Sequence, residues 1–252
     1  MPKLKTITVT NQKGGVAKTT TSVNLSACLA ANKFKVLLID LDPQGQAGEH
    51  LGLGENNPNI LDVLIKKSTA LEAMQPTYIE NLFVLNSNIQ LGSFNQQGAG
   101  GNQFSLKEAL VEVQEEFDFV IIDCQPSLSL LTLNALTAAD YVILPVQSEF
   151  FALDGLTQLI LTLKEIQNSL NPDLKVLGIL LTMFDKRNRL SMEVKNELFK
   201  NFEHELFHTI IPRNVKLAEA PSFGKAIIDY EPNSLGAEAY RNLAKEVLKK
   251  VK

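Results

Sequence analysis

Residues 8–30 read TVTNQKGGVAKTTTSVNLSACLA, and this stretch decides the fold. A β-branched run leads into a Gly-Gly turn, a lysine with three threonines follows, and the remainder has the composition of a helix. Such a turn places free backbone N–H groups and the positive end of a helix dipole where a phosphate can bind. Gly14 and Gly15 let the backbone approach closely. Lys18 supplies a charge for the β and γ phosphates, and the Thr19 hydroxyl is placed for Mg²⁺.

The loop departs at two positions from the GxxxxGK[ST] pattern of a P-loop. Gln12 stands where the first glycine belongs, and Ala17 stands where the second belongs. If position 17 requires a positive φ, alanine costs on the order of 1 kcal/mol there, whereas a helical φ costs it nothing. We still expect the loop to bind a nucleotide. The expected contacts are Gly14, Gly15, Val16, Ala17, Lys18, Thr19 and Thr20.

Two further segments end an apolar strand in an aspartate. FVIIDCQPS places Asp123 after four apolar residues, and VLLIDLDPQGQA offers Asp40 and Asp42 at the end of another strand. Ligands bind at the carboxyl ends of the strands in open α/β sheets, so the three segments should converge on one site. A P-loop enzyme needs an acidic residue in this position to hold Mg²⁺. Asp123 is the expected residue, together with the Thr19 hydroxyl.

Apolar, β-branched runs recur along the chain with helical patterns between them. They span residues 6–10, 36–39, 82–85, 119–122, 141–146, 176–181 and 207–211. The runs are nearly continuous rather than alternating, which is typical of strands buried on both faces. With the intervening helices they predict an α/β fold, a doubly wound and mostly parallel sheet with helices on both faces.

Helix ends and loops can also be located. Ser105, with Glu108 three residues later, predicts a capping box for a helix over 106–116, and Ser127 predicts the cap of a helix over 128–138. A last helix is predicted over 235–251. Residues 53–101, which contain GENNPN and FNQQGAGGNQF, predict exposed loops around a short strand. Without an internal repeat or a linker-like tract, residues 1–252 are expected to form a single domain.

Composition limits the functional classes. The 252 residues are 45% hydrophobic and carry a net charge of −4. No stretch approaches the roughly 18 uninterrupted apolar residues that a membrane span needs, so we expect a cytoplasmic chain. Cys28 and Cys124 lie far apart and have no metal-ligand spacing. We expect both to be reduced and buried.

The motif KGGxxKT, with an additional lysine at Lys13, resembles the deviant Walker A motif of the ParA/MinD family of ATPases. LLIDLDPQG resembles the first switch segment of that family, and IIDCQPSLSLLTLNAL resembles its Walker B and second switch segments. IIPRNVKLAEAPSFGKAI resembles a late segment typical of the partition branch, often called Soj or ParA. The resemblance covers nearly the whole chain. In the second switch, Gln125 stands where relatives often have proline.

The resemblance implies an ATP-bound homodimer in which Lys13 of one subunit reaches the phosphates of its partner. The two subunits would come close at Gly14. One lysine, Lys18, then serves its own nucleotide, and the other serves the neighbouring one. A lysine supplied by the partner resembles an arginine finger in its role, so hydrolysis would depend on dimerisation.

The same resemblance assigns the three aspartates. Asp42 would position or polarise the attacking water, and Asp40 would join Asp123 in the Mg²⁺ shell. The expected cofactors are ATP and Mg²⁺, and the expected catalytic residues are Lys13, Lys18 and Asp42. Segments that wall the adenine in relatives contain Met183, Pro212 and Arg213.

By resemblance to the partition branch, the ATP-bound dimer would bind DNA without sequence preference. A small activating protein of the ParB/Spo0J kind would stimulate its slow hydrolysis, and the chain would position chromosome, plasmid or other cargo on the nucleoid. Residues 185–252 carry 13 Lys and Arg against 10 Asp and Glu, a net charge of +3, whereas the residues before them have −7. Phosphate contacts need only a local basic surface. The candidate contacts are Arg187, Arg189, Arg213, Lys216, Lys225 and Arg241.

Three alternatives are open. An apolar stripe on the last helix could bind a membrane surface, as in MinD, or pack on its own core, and stable insertion is not expected. The stripe consists of Tyr240, Leu243, Val247, Leu248 and Val251. A redox role like that of the nitrogenase iron protein needs two cysteines near the dimer axis, where neither Cys28 nor Cys124 is expected. Ala17 leaves room for a scaffold that locks ATP without turning it over.

Overall fold

Seven strands form one sheet in the part of the chain that the computed structural model describes, residues 4–149 and 152–251. Their bounds are β1 Lys5–Val9, β2 Val36–Leu41, β3 Gln75–Pro76, β4 Leu82–Leu85, β5 Phe119–Cys124, β6 Tyr141–Gln147 and β7 Lys175–Thr182. Their order across the sheet is β3-β4-β2-β5-β1-β6-β7. Every neighbouring pair is parallel except β3 with β4. The predicted α/β class with a mostly parallel sheet is confirmed.

Helices fill the connections between the strands. They are α1 Lys18–Ala31, α2 Gln46–His50, α3 Ile60–Leu64, α4 Ala70–Ala73, α5 Ser105–Ala109, α6 Leu130–Ala138, α7 Ala152–Ser169, α8 Arg189–Phe202, α9 Val215–Glu219, α10 Ile227–Tyr230 and α11 Leu235–Lys250. 3₁₀ helices cover Ile89–Gly100, Leu110–Val113 and Ala220–Phe223.

Both faces of the sheet are covered by helices. Side chains of β2 and β5 alternate between the two faces, and all of them are buried. Leu38 and Ile121 pack under α1, α10 and α11, whereas Ile39 and Val120 pack under α3 to α6. A third apolar cluster joins β6 and β7 to α7 and α8. This double covering explains why the strands read as continuous apolar runs.

The order of the strands places a ligand site at one edge of the sheet. The chain runs from β1 out to β2 and β4, and returns to β5 between β2 and β1 before it continues to β6 and β7. In the parallel register, Asp123 lies beside Asp40 on one side and beside Val9 on the other. The carboxyl ends of β1, β2 and β5 therefore meet, as the three sequence segments predicted.

Residues 207–211 do not form the strand that was predicted. Their N–H groups at 207 and 211 donate to β7 carbonyls at 3.0 and 2.9 Å, so the segment runs beside β7. Between these two bonds, the N–H groups of His208 and Thr209 donate to the Glu246 carboxylate of α11 at 2.8 and 3.0 Å. The pairing is interrupted because the intervening backbone is bonded to α11. The seventh strand is β3, a short antiparallel edge strand.

Two predicted helix caps are wrong. Ser105 is the first residue of α5 rather than its cap, and α5 itself is short. Ser129, not Ser127, caps α6, where its side chain accepts from the Thr132 N–H. Ser127 lies in the preceding turn instead, since its N–H donates to the Gln125 carbonyl at 2.9 Å. The last helix agrees with its prediction to within one residue.

Residues 53–101 hold more structure than predicted. They contain β3, β4 and the short helices α3 and α4. Both helices begin with a capping box, Asn59 with Asp62 in α3 and Thr69 with Glu72 in α4. These reciprocal bonds satisfy backbone N–H groups at the helix starts, which stabilises helices of only one turn or so.

Candidate active site

The loop between β1 and α1 is held in place by two side chains. Asn11 Nδ2 donates to the Pro145 carbonyl of β6 at 2.7 Å, and Asn11 Oδ1 accepts from the Lys13 N–H at 3.0 Å. On β7, Thr182 Oγ1 donates to the Val16 carbonyl at 3.1 Å. The conformation of the loop is therefore set by the neighbouring strands, before any ligand binds.

Ala17 adopts a left-handed conformation, with φ +67° and ψ +36°, directly before the first residue of α1. Gly15 is also left-handed, with φ +72°. Left-handed residues in a turn of this kind help to orient successive N–H groups into an anion-binding concavity. Of the two possibilities that the sequence left open, the costly one applies: Ala17 carries a strain on the order of 1 kcal/mol.

Lys18 begins α1 at the base of the loop. Its Nζ donates to the Lys13 carbonyl at 2.9 Å, and the residue is 7% exposed. Burial lowers the pKa of Lys18, while the negative charge of Asp123 acts in the opposite direction. A buried ammonium with one hydrogen-bond partner among the described residues has further N–H donors available for phosphate oxygens.

Asp40 and Asp123 lie side by side at the ends of β2 and β5, and both are fully buried. Ser22 Oγ donates to Asp123 Oδ1 at 2.8 Å, and the nearby Thr19 hydroxyl acts to lower the pKa of this carboxyl group. Asp40 accepts from the Asp42 N–H at 3.0 Å and from the Ala47 N–H of α2 at 2.9 Å. Burial raises the pKa of both carboxyl groups, and the charge of Asp123 raises the pKa of Asp40 further.

The remaining oxygen of Asp123, Oδ2, has no hydrogen-bond partner among the residues that the structure describes. A buried carboxylate oxygen without a partner is costly unless a cation or a proton lies beside it. The nearby Thr19 hydroxyl and Asp40 carboxylate add oxygen atoms of the kind that Mg²⁺ prefers. The residues present therefore fit a magnesium ion.

Asp42 follows β2 directly and is half-buried. Its Oδ1 accepts from the Gln44 N–H at 3.0 Å, and its carbonyl accepts from the Ser87 hydroxyl. Asp42 lines the same cavity as Lys18, and its negative charge is one of those that oppose the lowering of the Lys18 pKa by burial. The site thus has a third carboxylate, outside the buried pair, to which a water molecule could donate a hydrogen bond.

Lys13, the additional lysine of the motif, pairs with a residue of its own subunit. Lys13 Nζ forms an ion pair with Glu149, just beyond β6, and the side chains are 48% and 47% exposed. An exposed ion pair contributes on the order of 1 kcal/mol or less, so another anion could draw Lys13 away at little cost. No sequence signal pointed to Glu149, because only the packing of β6 beside β1 brings it near the loop.

A cavity of about 900 Å³ joins the loop to the C-terminal segment, and its size suits a nucleotide. The predicted adenine residues Met183, Pro212 and Arg213 all line it. The segment is held beside β7 because the Arg213 N–H donates to the Phe184 carbonyl at 3.0 Å. Part of the apolar wall was not predicted. These residues are Ile211, Val215, Leu217 and Ala218.

Several basic residues predicted to contact DNA are paired within the chain. Three form ion pairs at 2.9 Å with an acidic residue nearby in sequence. These are Arg187 with Asp185, Arg189 with Glu193, and Lys216 with Glu219. Arg213 and Lys225 form no ion pair with any residue that the structure describes. Exposed ion pairs are weak, so phosphates can compete with the acidic partners of Arg187, Arg189 and Lys216. The existing ion pairs nevertheless make these three residues less favourable DNA contacts than unpaired basic residues.

Helix α11 carries a basic stripe, which we define as Arg241, Lys245 and Lys249. The three residues follow one another at intervals of four and are all exposed, so they share one face of the helix. Arg241 donates to the Pro232 carbonyl at 2.7 Å. Within residues 4–149 and 152–251, neither lysine of the stripe forms an ion pair. The sequence analysis identified only Arg241 in this stripe.

The apolar stripe of α11 is buried. Tyr240, Leu243 and Val247 have no exposed surface, and Val251 is nearly covered. The Tyr240 hydroxyl lies 3.2 Å from Thr21 Oγ1 in α1. Leu248 is partly buried, and the exposed Leu235 lies apart from the stripe at the start of the helix, so most of the apolar stripe is not available to a membrane surface. Among the described residues, no helix has both the length and the apolar character needed to cross a membrane.

Both cysteines are buried, as expected. Burial raises the pKa of Cys28 to about 12 and also raises the pKa of Cys124. A thiol that is buried and protonated is a poor metal ligand, because the thiolate is the binding form. The arrangement gives no support to a cluster shared between two subunits.

A phosphate-binding loop at the carboxyl edge of a parallel sheet, with its lysine at the start of the following helix, places the chain in the class of P-loop NTPases. A family model described as an AAA domain matches residues 4–176. The chain is 49% identical to the sporulation initiation inhibitor protein Soj of Bacillus subtilis (strain 168), over 96% of this chain and 98% of that protein. It is 45% identical to the chromosome partitioning protein ParA of Myxococcus xanthus, over 97% of this chain and 88% of that protein.

A solved structure is similar over nearly the whole chain. It is the cobyrinic acid a,c-diamide synthase from Mycobacterium smegmatis with bound ATP analog and magnesium, with a TM-score of 0.85 and 37% identity over 98% of this chain and 95% of that one. Together with the sequence relatives, this similarity confirms the family resemblance. The chain belongs to the ParA/MinD family of ATPases, in its Soj/ParA branch.

Proposed function

We propose that this chain is a partitioning ATPase whose ATP-bound dimer binds DNA without sequence preference and so positions chromosome, plasmid or other cargo. ATP and Mg²⁺ are its cofactors. The observation that carries the proposal is that the Lys18 loop and Asp42 line one cavity, while Asp40 and Asp123 lie side by side, buried, at the ends of the adjacent strands. A small ParB-like protein would be the activating partner, and the chain would be found on the nucleoid when it holds ATP.

Phosphoryl transfer requires mostly positioning and neutralisation of charge, and the residues of the site suit both tasks. The loop N–H groups and Lys18 would bind the β and γ phosphates. Thr19, Asp40 and Asp123 would hold Mg²⁺, which neutralises phosphate charge when it is bound. Asp42 would accept a hydrogen bond from the attacking water.

Dimerisation would complete the site. Lys13 pairs with Glu149 in one subunit, and this exposed pair is weak enough to be exchanged for phosphates of the partner's nucleotide. Hydrolysis would then be slow in the monomer and faster in the dimer. The left-handed Ala17 favours a second candidate, an ATP-locked scaffold with almost no turnover, because strain in the loop could displace Lys18 from its best position.

The basic stripe of α11 is the DNA surface that the structure favours. Its lysines have no competing ion pair among the described residues, unlike Arg187, Arg189 and Lys216. A dimer carries two such stripes, which raises the number of phosphates bound at once. Phosphate contacts do not depend on base sequence. They need only a local basic surface, so the net charge of −4 is no obstacle to DNA binding.

Binding to a random-sequence duplex tests the proposal. It would be measured with ATP, with ADP and without nucleotide, at about 50 mM and about 200 mM salt, with Lys18→Ala as the nucleotide-free control. Salt-sensitive binding with ATP only would support it. No binding in any state would overturn the DNA part, and binding to liposomes would then be measured. Single-turnover hydrolysis with and without DNA separates the ATPase from the locked scaffold.

The stripe itself is tested by the double variant Lys245→Ala, Lys249→Ala. Its DNA binding should weaken to the same degree for all sequences, and its salt slope should fall by about one for each phosphate that is no longer neutralised. Lys107→Ala is a matched control, because Lys107 is an exposed lysine of α5, which packs on the opposite face of the sheet. Equal effects of the two changes would place the DNA surface elsewhere.

A further inference from the structure

Gln125 occupies an unusual place in the second switch segment. It follows Asp123 by two residues, is half-buried, and lines the cavity together with Lys18 and Asp42. The last register pair between β2 and β5 joins Leu41 to Cys124. Asp42 and Gln125 are therefore the first residues beyond the two neighbouring strands, and they leave the sheet side by side at the edge where the phosphates would lie.

The Gln125 side chain is held at one end. Its Nε2 donates to Ser129 Oγ, the side chain that caps α6. Ser129 accepts a second, longer hydrogen bond of 3.5 Å from the Thr132 N–H. The amide of Gln125 is thereby attached to the start of a buried helix, which restricts its rotation.

The other end of the amide is free to accept. Gln125 Oε1 receives no hydrogen bond from any described residue of the chain. A water molecule that attacks phosphorus must direct a lone pair at it, so both of its hydrogens are best accepted by fixed groups. The Asp42 carboxylate can accept one hydrogen, and an amide oxygen on the adjacent strand end can accept the other. A glutamine that orients the attacking water is a known solution in phosphoryl transfer.

We propose that Gln125 is a further catalytic residue, which orients the attacking water together with Asp42 while Ser129 fixes its amide. The proposal rests on the ATPase function proposed above. In the step, the water oxygen bonds to the γ phosphorus, and the bond from that phosphorus to ADP breaks with its electron pair remaining on ADP. The products are ADP, phosphate and a proton that passes to solvent.

Single-turnover hydrolysis of saturating MgATP tests this assignment in four variants. Gln125→Ala and Gln125→Pro should slow hydrolysis at least tenfold, while the ATP Kd and the ATP-dependent dimer, measured by light scattering, stay within about threefold of wild type. Ser129→Ala should slow it by a smaller factor of about three, because the amide is still present but less restricted. Ser127→Ala is the matched control and should have no effect, since the structure describes no hydrogen bond of that side chain.

A purely structural role predicts a different pattern. Gln125→Ala and Ser129→Ala remove the same hydrogen bond, so equal rates in these two variants would overturn the proposal. An unchanged rate in Gln125→Ala would overturn it as well. If the wild type itself shows no hydrolysis, the ATPase function fails first. That outcome is distinct from a wild type that hydrolyses ATP at the same rate as Gln125→Ala.

Discussion

Ala17 has a strained backbone conformation, which lowers the free energy of unfolding of the protein. Its φ of +67° lies in the left-handed region, where a side chain is strained and glycine is not. Ala17→Gly should therefore raise the free energy of unfolding by about 1 kcal/mol, less a few tenths for the greater flexibility of the unfolded chain. Urea unfolding of the nucleotide-free protein measures this change.

The same substitution elsewhere in the segment gives a control of opposite sign. Ala27 lies in the middle of α1, is fully buried and has helical neighbours. Ala27→Gly should lower the free energy of unfolding by about 1 kcal/mol, because glycine is a poor helix residue. A loss of stability in Ala17→Gly as well would show that the left-handed turn is not strained.

His50, at the end of α2, should make stability depend on pH. It is 4% exposed, and Nε2 has no partner among the described residues. Burial lowers the pKa of His50 to about 4, and a backbone hydrogen bond to Lys225 opposes this only in part. The unfolded chain, with a histidine pKa of about 6.5, takes up the proton first as the pH falls. The stability contribution is therefore complete above pH 6.5 and is lost as the pH falls toward 4.

The expected loss from this histidine is about 2 kcal/mol between about pH 7.5 and about pH 5. Urea unfolding of wild type and His50→Gln at these two pH values isolates it. Asp40 and Asp123 act with the opposite sign, since burial raises their pKa, but they are common to both proteins. An identical pH dependence in the two proteins would contradict the assignment to His50.

At the scale of elements, the contact between α2 and the C-terminal 3₁₀ helix Ala220–Phe223 is a tight one. Gly224 ends that helix with φ +62°, and a Cβ added there would lie 2.9 Å from the Gly52 Cα. Gly224→Ala should lower the free energy of unfolding by about 2 kcal/mol, through backbone strain and crowding together. Because α2 follows Asp42 and this segment precedes Lys225, the contact also connects the nucleotide site to the C-terminal region.

Gly54→Ala is the matched control for this prediction. A Cβ at Gly54 would meet no atom within 4 Å, and no left-handed φ applies there. Its free energy of unfolding should stay within about 0.5 kcal/mol of wild type. Thermal or urea unfolding of both variants measures this difference. Equal stability of the two would contradict the prediction, since it would show that the backbone at Gly224 and Gly52 can move apart without loss of stability.

The sequence predicted six of the seven strands because a buried parallel strand can be recognised locally, as a continuous apolar run. Residues 207–211 are also a continuous apolar-rich run but do not form a strand, because two of their N–H groups donate to the Glu246 carboxylate. That competition comes from α11, 37 and 38 residues later, and no local pattern reports it. The edge strand β3 has only two residues, Gln75–Pro76, which is too short for any periodicity.

The sequence predicted those residues of the candidate site whose positions depend on local structure, and it missed those whose positions depend on tertiary packing. Lys18 and Thr19 belong to one turn, and Asp40 with Asp123 come from strand ends, so their convergence followed from the fold class. The pairing of Lys13 with Glu149 and the free face of α11 depend on which elements are neighbours in space. The roles given to these residues in catalysis and DNA binding stay predictions until the experiments above are done.

At the scale of the whole molecule, the charge distribution suits a switch that works as a dimer. The acidic residues dominate the first part of the chain, and the surplus of basic residues lies in residues 185–252. One exposed stripe of three cations offers few phosphate contacts, and affinity for DNA rises steeply with their number. Doubling the stripe by ATP-dependent association would therefore change DNA affinity far more than it changes the protein's total charge.

Lys13→Ala separates nucleotide binding from this doubling. The variant should bind ATP within about threefold of wild type, because Lys18 and the loop N–H groups remain, but it should not form the catalytic dimer and should hydrolyse ATP at least tenfold more slowly. Its DNA binding should show about half the salt slope of wild type, as expected for one stripe instead of two. Lys18→Ala should lose ATP binding altogether. Equal loss of ATP binding in both variants would contradict the role of Lys13 in the partner's site, since it would show that both lysines serve the nucleotide of their own subunit.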